Sequence, residues 1–204
     1  MKTRTSCLLL ATLLLAGCWQ KSLNPFYNAK DVVSEPKLAG MWKEHKENDT
    51  GTEGDRTLWT FWDSGEKRLS LVIENETEKH EYDAHVFRLD GHRFLDIVSR
   101  TRSVSTVPAH HLFKVVDVGS ELKFAALNTD WVQKWLRKNP SALAHIRVAD
   151  KDHPNDRDED ELVLTADTKA LQSFVREHVN DEDFFMGQTV LKKQVEVVAE
   201  SEKK

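Results

Sequence analysis

Cysteine is nearly absent: Cys7 and Cys18 are the two in 204 residues, both close to the amino end. The body of the chain has no thiol pair to staple itself with, so its stability must come from a buried core. Long apolar runs are missing too. The stretch TSCLLLATLLLAGCWQKS, residues 5–22, falls short of the roughly 20 apolar residues that span a bilayer core. There is no basic excess: 29 Lys and Arg face 34 Asp and Glu, a balance that disfavours nucleic acid and anionic lipid headgroups as partners. No G-x-S-x-G elbow, H-E-x-x-H helix or G-x-x-x-x-G-K loop occurs, so motifs for a nucleophilic serine, a catalytic zinc or a phosphate cradle are lacking. A Ser–His–Asp triad assembled from distant residues would leave no spacing to read. The expectation is a non-enzymatic protein without a cofactor.

What is present begins with Lys2 and Arg4, followed by an apolar segment over residues 8–15 and the small residues Ala16 and Gly17 before Cys18. That order is a secretory signal with a small-residue cleavage site. Leu15-Ala16-Gly17-Cys18 closely resembles the lipobox of bacterial lipoproteins; an ordinary secretory signal with a chance cysteine is the alternative. The resemblance implies that residues 1–17 are a signal peptide and that Cys18 becomes the first residue, thioether-linked to diacylglycerol and acylated on its amine. Two or three acyl chains hold a protein to a membrane where one does not, at about 0.8 kcal/mol per buried CH₂. Cys7 would leave with the leader, so no disulfide forms within the mature chain. Loss of Lys2 and Arg4 leaves 27 basic against 34 acidic residues, a net charge of −7, so lipid rather than charge is the expected membrane attachment. Trp19 follows the cysteine where inner-membrane lipoproteins commonly carry aspartate. In a host with an outer membrane, the resemblance implies the periplasmic face of that membrane.

Residues 18–37 read as a lipid-anchored tether or loosely packed arm, because Asn24-Pro25 and Glu35-Pro36 interrupt regular structure; Phe26 and Tyr27 are its candidates for docking. Residues 38–198 read as one domain, and residues 199–204 as a frayed, disordered tail. LAGMWKEH, TLWTFW, FWDSGEKRLSLVIEN and YDAHVFRLDGHRFLDIVS alternate as strands joined by turns. Asp90-Gly91 suits a type I′ hairpin, in which both turn positions need positive φ. With strands over 111–118 and 122–127, residues 38–127 predict an antiparallel meander of about seven strands. Helical spacing follows: Asn128 as N-cap, then Trp131, Val132, Trp135 and Leu136 on one face, ended by Asn139-Pro140. LVLT is a short strand, residues 167–179 a second helix, and TVLKKQVEVV a last strand. The predicted fold class is α+β: an antiparallel curved β-sheet or incomplete lipocalin-like barrel with two packed α-helices.

Gly40-Met41-Trp42 resembles the G-x-W signature of lipocalins and related calycin barrels, in which the tryptophan plugs the closed end; Trp42 is also readable as a plain buried strand aromatic. Lys192 and Lys193 stand where a lipocalin places an arginine over that tryptophan. PKLAGMW, LDGHRFLDI, NPSALAH and LVLTADTKALQSF are similar to segments of a group of bacterial lipoproteins with no established activity. Trp42, Trp59, Phe61, Trp62 and Phe87 are the candidate ligand liners, and alternation puts Trp59 and Phe61 on one face and Trp62 on the other. Glu81, Asp83 and His85 share one strand face and are weak metal candidates without a fourth ligand. His110 and His111, being adjacent on a strand, point to opposite faces and cannot chelate together. Asp156, Asp158 and Asp160 open like a calcium loop, but Glu161 replaces its glycine and Asp167 its glutamate.

The sequence is compatible with three functions. The first is an envelope lipoprotein binding an apolar small molecule, lipid or protein in a sheet-lined cavity. The second is a structural or interaction lipoprotein docking an envelope protein complex. The third is a metal-dependent hydrolase using Glu81, Asp83 and His85.

Overall fold

The computed structural model describes residues 19–45, 57–100, 107–148 and 161–194. In chain order the strands are β1 (Lys21–Ser22), β2 (Gly40–Glu44), β3 (Leu58–Asp63), β4 (Arg68–Glu74), β5 (Lys79–Leu89), β6 (His92–Ser99), β7 (His110–Val118) and β8 (Glu121–Leu127). Then come α1 (Thr129–Lys138), β9 (His145–Val148), β10 (Glu161–Leu164), α2 (Thr168–His178) and β11 (Phe185–Lys193). The meander expected over 38–127 is β2 to β8, each strand antiparallel to the next. Its Asp90-Gly91 turn has φ of 47° and 83°, the positive pair a type I′ hairpin requires.

The sheet is not open or incomplete. β11 returns after the helices and pairs antiparallel with both β8 and β2, with Leu191 opposite Leu122 and Glu44 and Lys193 opposite Trp42. An eight-stranded antiparallel barrel closes in the order β2-β3-β4-β5-β6-β7-β8-β11. Closure satisfies the backbone groups that two free edges would leave unpaired, which is why the eighth strand completes the wall.

Alternation sorts each strand's side chains to the two faces of this wall. Inward, Trp59, Phe61, Leu71, Val86, Phe113 and Phe124 belong to one buried cluster. Outward, Phe87, Phe94, Leu112 and Leu127 meet Val132 and Leu136 of α1 and Leu171 and Phe174 of α2 in a second. Burying each large apolar side chain contributes about 1.5–3 kcal/mol, so both helices are held by the outside of the barrel. Their starts are capped as expected: Asn128 Oδ1 accepts from the N–H of Asp130 at 3.0 Å and Trp131 at 3.2 Å, and Asp167 Oδ1 from Ala170 at 2.8 Å. No helix among the described residues is long and apolar enough to cross a membrane.

The arm, read as a tether or loosely packed segment with Phe26 and Tyr27 as its docking candidates, lies against the barrel from Trp19 onward. Phe26 has no exposed surface, and its N–H donates to Asp96 Oδ2 at 3.0 Å. β1 runs parallel to β10 and pairs Ser22 with His110, while Val33 N–H donates to Val86 O at 2.9 Å. The prolines break regular elements without preventing an extended chain from satisfying its backbone against the barrel.

Candidate functional site

The two ends of the barrel are built differently. At one end the short 3₁₀ turn Pro36–Leu38 leads into β2, with Leu38 fully buried. Trp42, also fully buried, donates from Nε1 to Leu38 O at 2.8 Å. Lys193 Nζ lies 5.2 Å from the centre of the Trp42 ring, a cation–π contact at the place where lipocalins use arginine. Gly40 passes beneath at φ +124°, and a Cβ there would lie 3.1 Å from Lys193 Cε. Trp42 stands directly opposite Trp59 in the β2–β3 register, and both rings belong to the same packed interior.

The opposite end is where β3 and β7 begin and β2 finishes; residues 46–56 and 101–106 beside it lie outside the described residues. Three inward side chains lead to it: His111 and Phe113 from β7 and, from β3, Trp59, which is directly opposite Trp42 in register. The fourth ring is not part of the wall. Trp19, held by one isolated backbone bridge to Asn128, places its indole 4.9 Å from Phe113 edge-on, 5.7 Å from His111 and 6.2 Å from Trp59. Trp59 is 3% exposed, yet its indole Nε1–H has no acceptor among the described residues. A buried donor left unpaired is unfavourable by about 1–3 kcal/mol. His111 Nδ1 is 3.2 Å from Gln20 O; a carbonyl only accepts, so Nδ1 carries the hydrogen and Nε2 is left as an acceptor. Burial chiefly pushes this imidazole down to about 4, with the Lys21 ammonium adding to the effect and the bond to Gln20 opposing it. Tyr82, also inward-facing and half-buried, has its phenol pushed up by burial.

The five candidate liners separate. Trp42, Trp59 and Phe61 all belong to the buried interior, Trp42 directly opposite Trp59 in register. Trp62 is outside and 49% exposed. Phe87 is fully buried but on the outer wall, stacked 5.3 Å from Phe94 and 6.0 Å from Tyr27. His110 and His111 do diverge: His110 points outward, with Nδ1 2.7 Å from Asp96 Oδ1. Sequence patterning does not single out Trp19, His111 or Phe113 as liners, because an isolated arm residue has no period to read and a strand histidine beside another suggests only chelation.

Glu81, Asp83 and His85 take different partners. Glu81 is exposed, Asp83 pairs with Arg100 at 2.6 Å, and His85 Nδ1 is 3.0 Å from the Tyr27 hydroxyl. Burial lowers the His85 imidazole, and burial followed by the Asp96 and Asp83 charges pushes the Tyr27 phenol up to about 12. No group of three or more His, Cys, Asp or Glu converges among the described residues. Of the acidic loop, Asp156, Asp158 and Asp160 lie outside the described residues, Glu161 pairs with Lys21, and Asp167 is engaged in capping α2. A polar groove of about 530 Å³ lies outside the barrel between Glu44, His45 and the Glu121–Lys123 ion pair. No family model, curated protein or solved structure compared with the chain matches it.

Proposed function

We propose that this protein is a non-enzymatic envelope lipoprotein whose closed barrel takes an apolar small molecule or lipid at the end stoppered by Trp19. One observation carries the reading: a buried indole donor, Trp59 Nε1, stands in an aromatic interior without an acceptor, directly beneath a ring that the wall itself does not supply. An eight-stranded barrel is just wide enough to be filled by side chains or to hold one small ligand. Cys18 lies outside the described residues, but its neighbour Trp19 sits at the mouth, so a lipid on Cys18 brings that end toward the membrane that supplies apolar ligands.

The test is a titration of the mature-length protein with 1-monooleoylglycerol below its aggregation concentration. Saturable binding of one molecule per barrel supports the reading; absence of binding overturns it. The anchor is tested separately, by replacing Cys18→Ser. The unsubstituted protein sediments with membranes and the variant is released; equal sedimentation of both contradicts anchoring through Cys18.

The interaction reading has its own observation. Trp62 and Met41, 49% and 38% exposed, lie on the outer face of neighbouring strands β2 and β3, where paired Thr60 and Met41 set their register. Capture of one stable envelope partner that is lost with Trp62→Ser favours docking over ligand binding.

A further inference from the structure

The groups around Trp19 say more about the ligand than that it is apolar, and the ligand class they select rests on the ligand-binding function just proposed. The mouth offers one deep donor, Trp59 Nε1–H, with no acceptor of its own. It offers one acceptor nearer the opening, His111 Nε2, because Nδ1 is committed to the Gln20 carbonyl. Among the described residues, the inward positions that meet at Trp19 are Trp59, His111 and Phe113, and none carries a positive charge there: the imidazole is neutral near pH 7, held down to about 4 by burial. The Lys21 ammonium, whose field reaches His111, is already paired with Glu161. A carboxylate buried at this place would be desolvated without a cation to meet it, which is strongly unfavourable. An ester or ketone carbonyl asks only for the donor that Trp59 has spare, and a neighbouring hydroxyl donates to His111 Nε2.

The Trp19 ring is also the most weakly held of the four. Trp59 lies in a strand paired on both sides and Phe113 likewise, whereas Trp19 precedes β1 and, among the described residues, makes one isolated bridge, to Asn128. Segments with few backbone ties open at the smallest free energy. We infer that the mouth is a site for an uncharged, carbonyl-bearing monoacyl lipid of the acylglycerol kind, which replaces the Trp19 indole and receives a hydrogen bond from Trp59. The stopper lowers apparent affinity by the fraction of molecules in which it is withdrawn. Removing its ring therefore tightens binding.

The experiment compares 1-monooleoylglycerol with oleate at pH 8, by calorimetry, on the full mature-length chain carrying Cys18→Ser to keep it in water. Three proteins are titrated: this chain, the same chain with Trp19→Ala, and with Trp59→Phe, which keeps a packed ring but lacks the N–H. Circular dichroism confirms that each is folded. The expected results are monooleoylglycerol binding about tenfold tighter in Trp19→Ala, about tenfold weaker in Trp59→Phe, and oleate at least about tenfold weaker than the ester throughout. Monooleoylglycerol binding unchanged by both substitutions, or oleate preferred over the ester, overturns the inference and leaves ligand binding standing. Binding of neither compound to any of the three proteins overturns the ligand-binding reading itself.

Discussion

Replacing Asp96 should release the arm that carries Trp19. Its carboxylate is wholly buried and accepts from two groups, the Phe26 N–H at 3.0 Å on Oδ2 and His110 Nδ1 at 2.7 Å on Oδ1. Asp96→Ala leaves both donors buried without a partner. At about 1–3 kcal/mol for each of the two orphaned donors, the expected loss is about 2–6 kcal/mol. Asp96→Asn keeps one acceptor oxygen but turns an NH₂ toward the second donor, so about 1–3 kcal/mol is expected. For a chain of this size 1 kcal/mol moves Tm by about 2–4 °C, which puts Asp96→Ala about 4–24 °C lower. Urea unfolding followed by circular dichroism gives the loss, and amide exchange locates it. Phe26 and Val33 should lose protection before the strand amides of β5 and β6, because arm and barrel meet through this carboxylate. A loss below about 0.5 kcal/mol, with Phe26 still protected, would refute the latch.

Acid should destabilise the fold through His111. Its folded value near 4 lies below the ordinary 6.5, so between those values the unfolded chain binds more protons and stability rises with pH. The contribution is complete above about pH 6.5 and is lost on descent to 4, to the extent of about 3 kcal/mol; the difference between unfolding curves of the unsubstituted protein and His111→Gln across that window measures it. A difference that does not change with pH contradicts the assignment. Gly40→Ala should lose about 1–3 kcal/mol, because φ is +124° there. The clash involves only the flexible end of Lys193, so Lys193→Met should not restore the loss in urea unfolding, and full restoration would show that crowding rather than backbone conformation matters.

What is legible in the sequence is local. Alternation separates the faces of β3, with Trp59 and Phe61 on one and Trp62 on the other, and sets the opposite facing of His110 and His111; which face is inside comes from the structure. Asp90-Gly91 marks the hairpin, and Asn128 and Asp167 the helix starts, because turns and caps are decided by residues within a few positions. Lys192 and Lys193 read as a departure from the lipocalin pattern around Trp42, and of the two it is Lys193 whose ammonium lies over the ring. Closure is not legible. Nothing in FMGQTVLKK says that both of its edges find partners about 60 and 150 residues away, and the expected last strand begins at Thr189 rather than Phe185. The arm defeats a sequence reading for a related reason: Asn24-Pro25 and Glu35-Pro36 exclude helix and ladder, but they do not disclose that Phe26 fills a slot over Asp96. Trp19 is the functional consequence, since its place at the mouth depends on where a non-periodic arm ends.

A ligand acceptor that pairs with the buried Trp59 indole donor is read directly at its nitrogen. Indole nitrogens labelled with ¹⁵N give one N–H signal for each of the six tryptophans, and Trp59→Phe identifies the one from Trp59. On titration with 1-monooleoylglycerol that signal should move downfield as its proton gains a carbonyl partner, and the Trp19 signal should shift as its ring leaves. The Trp42 signal, already bonded to Leu38 O, should stay in place. Saturable ligand binding with the Trp59 signal unmoved would contradict the account.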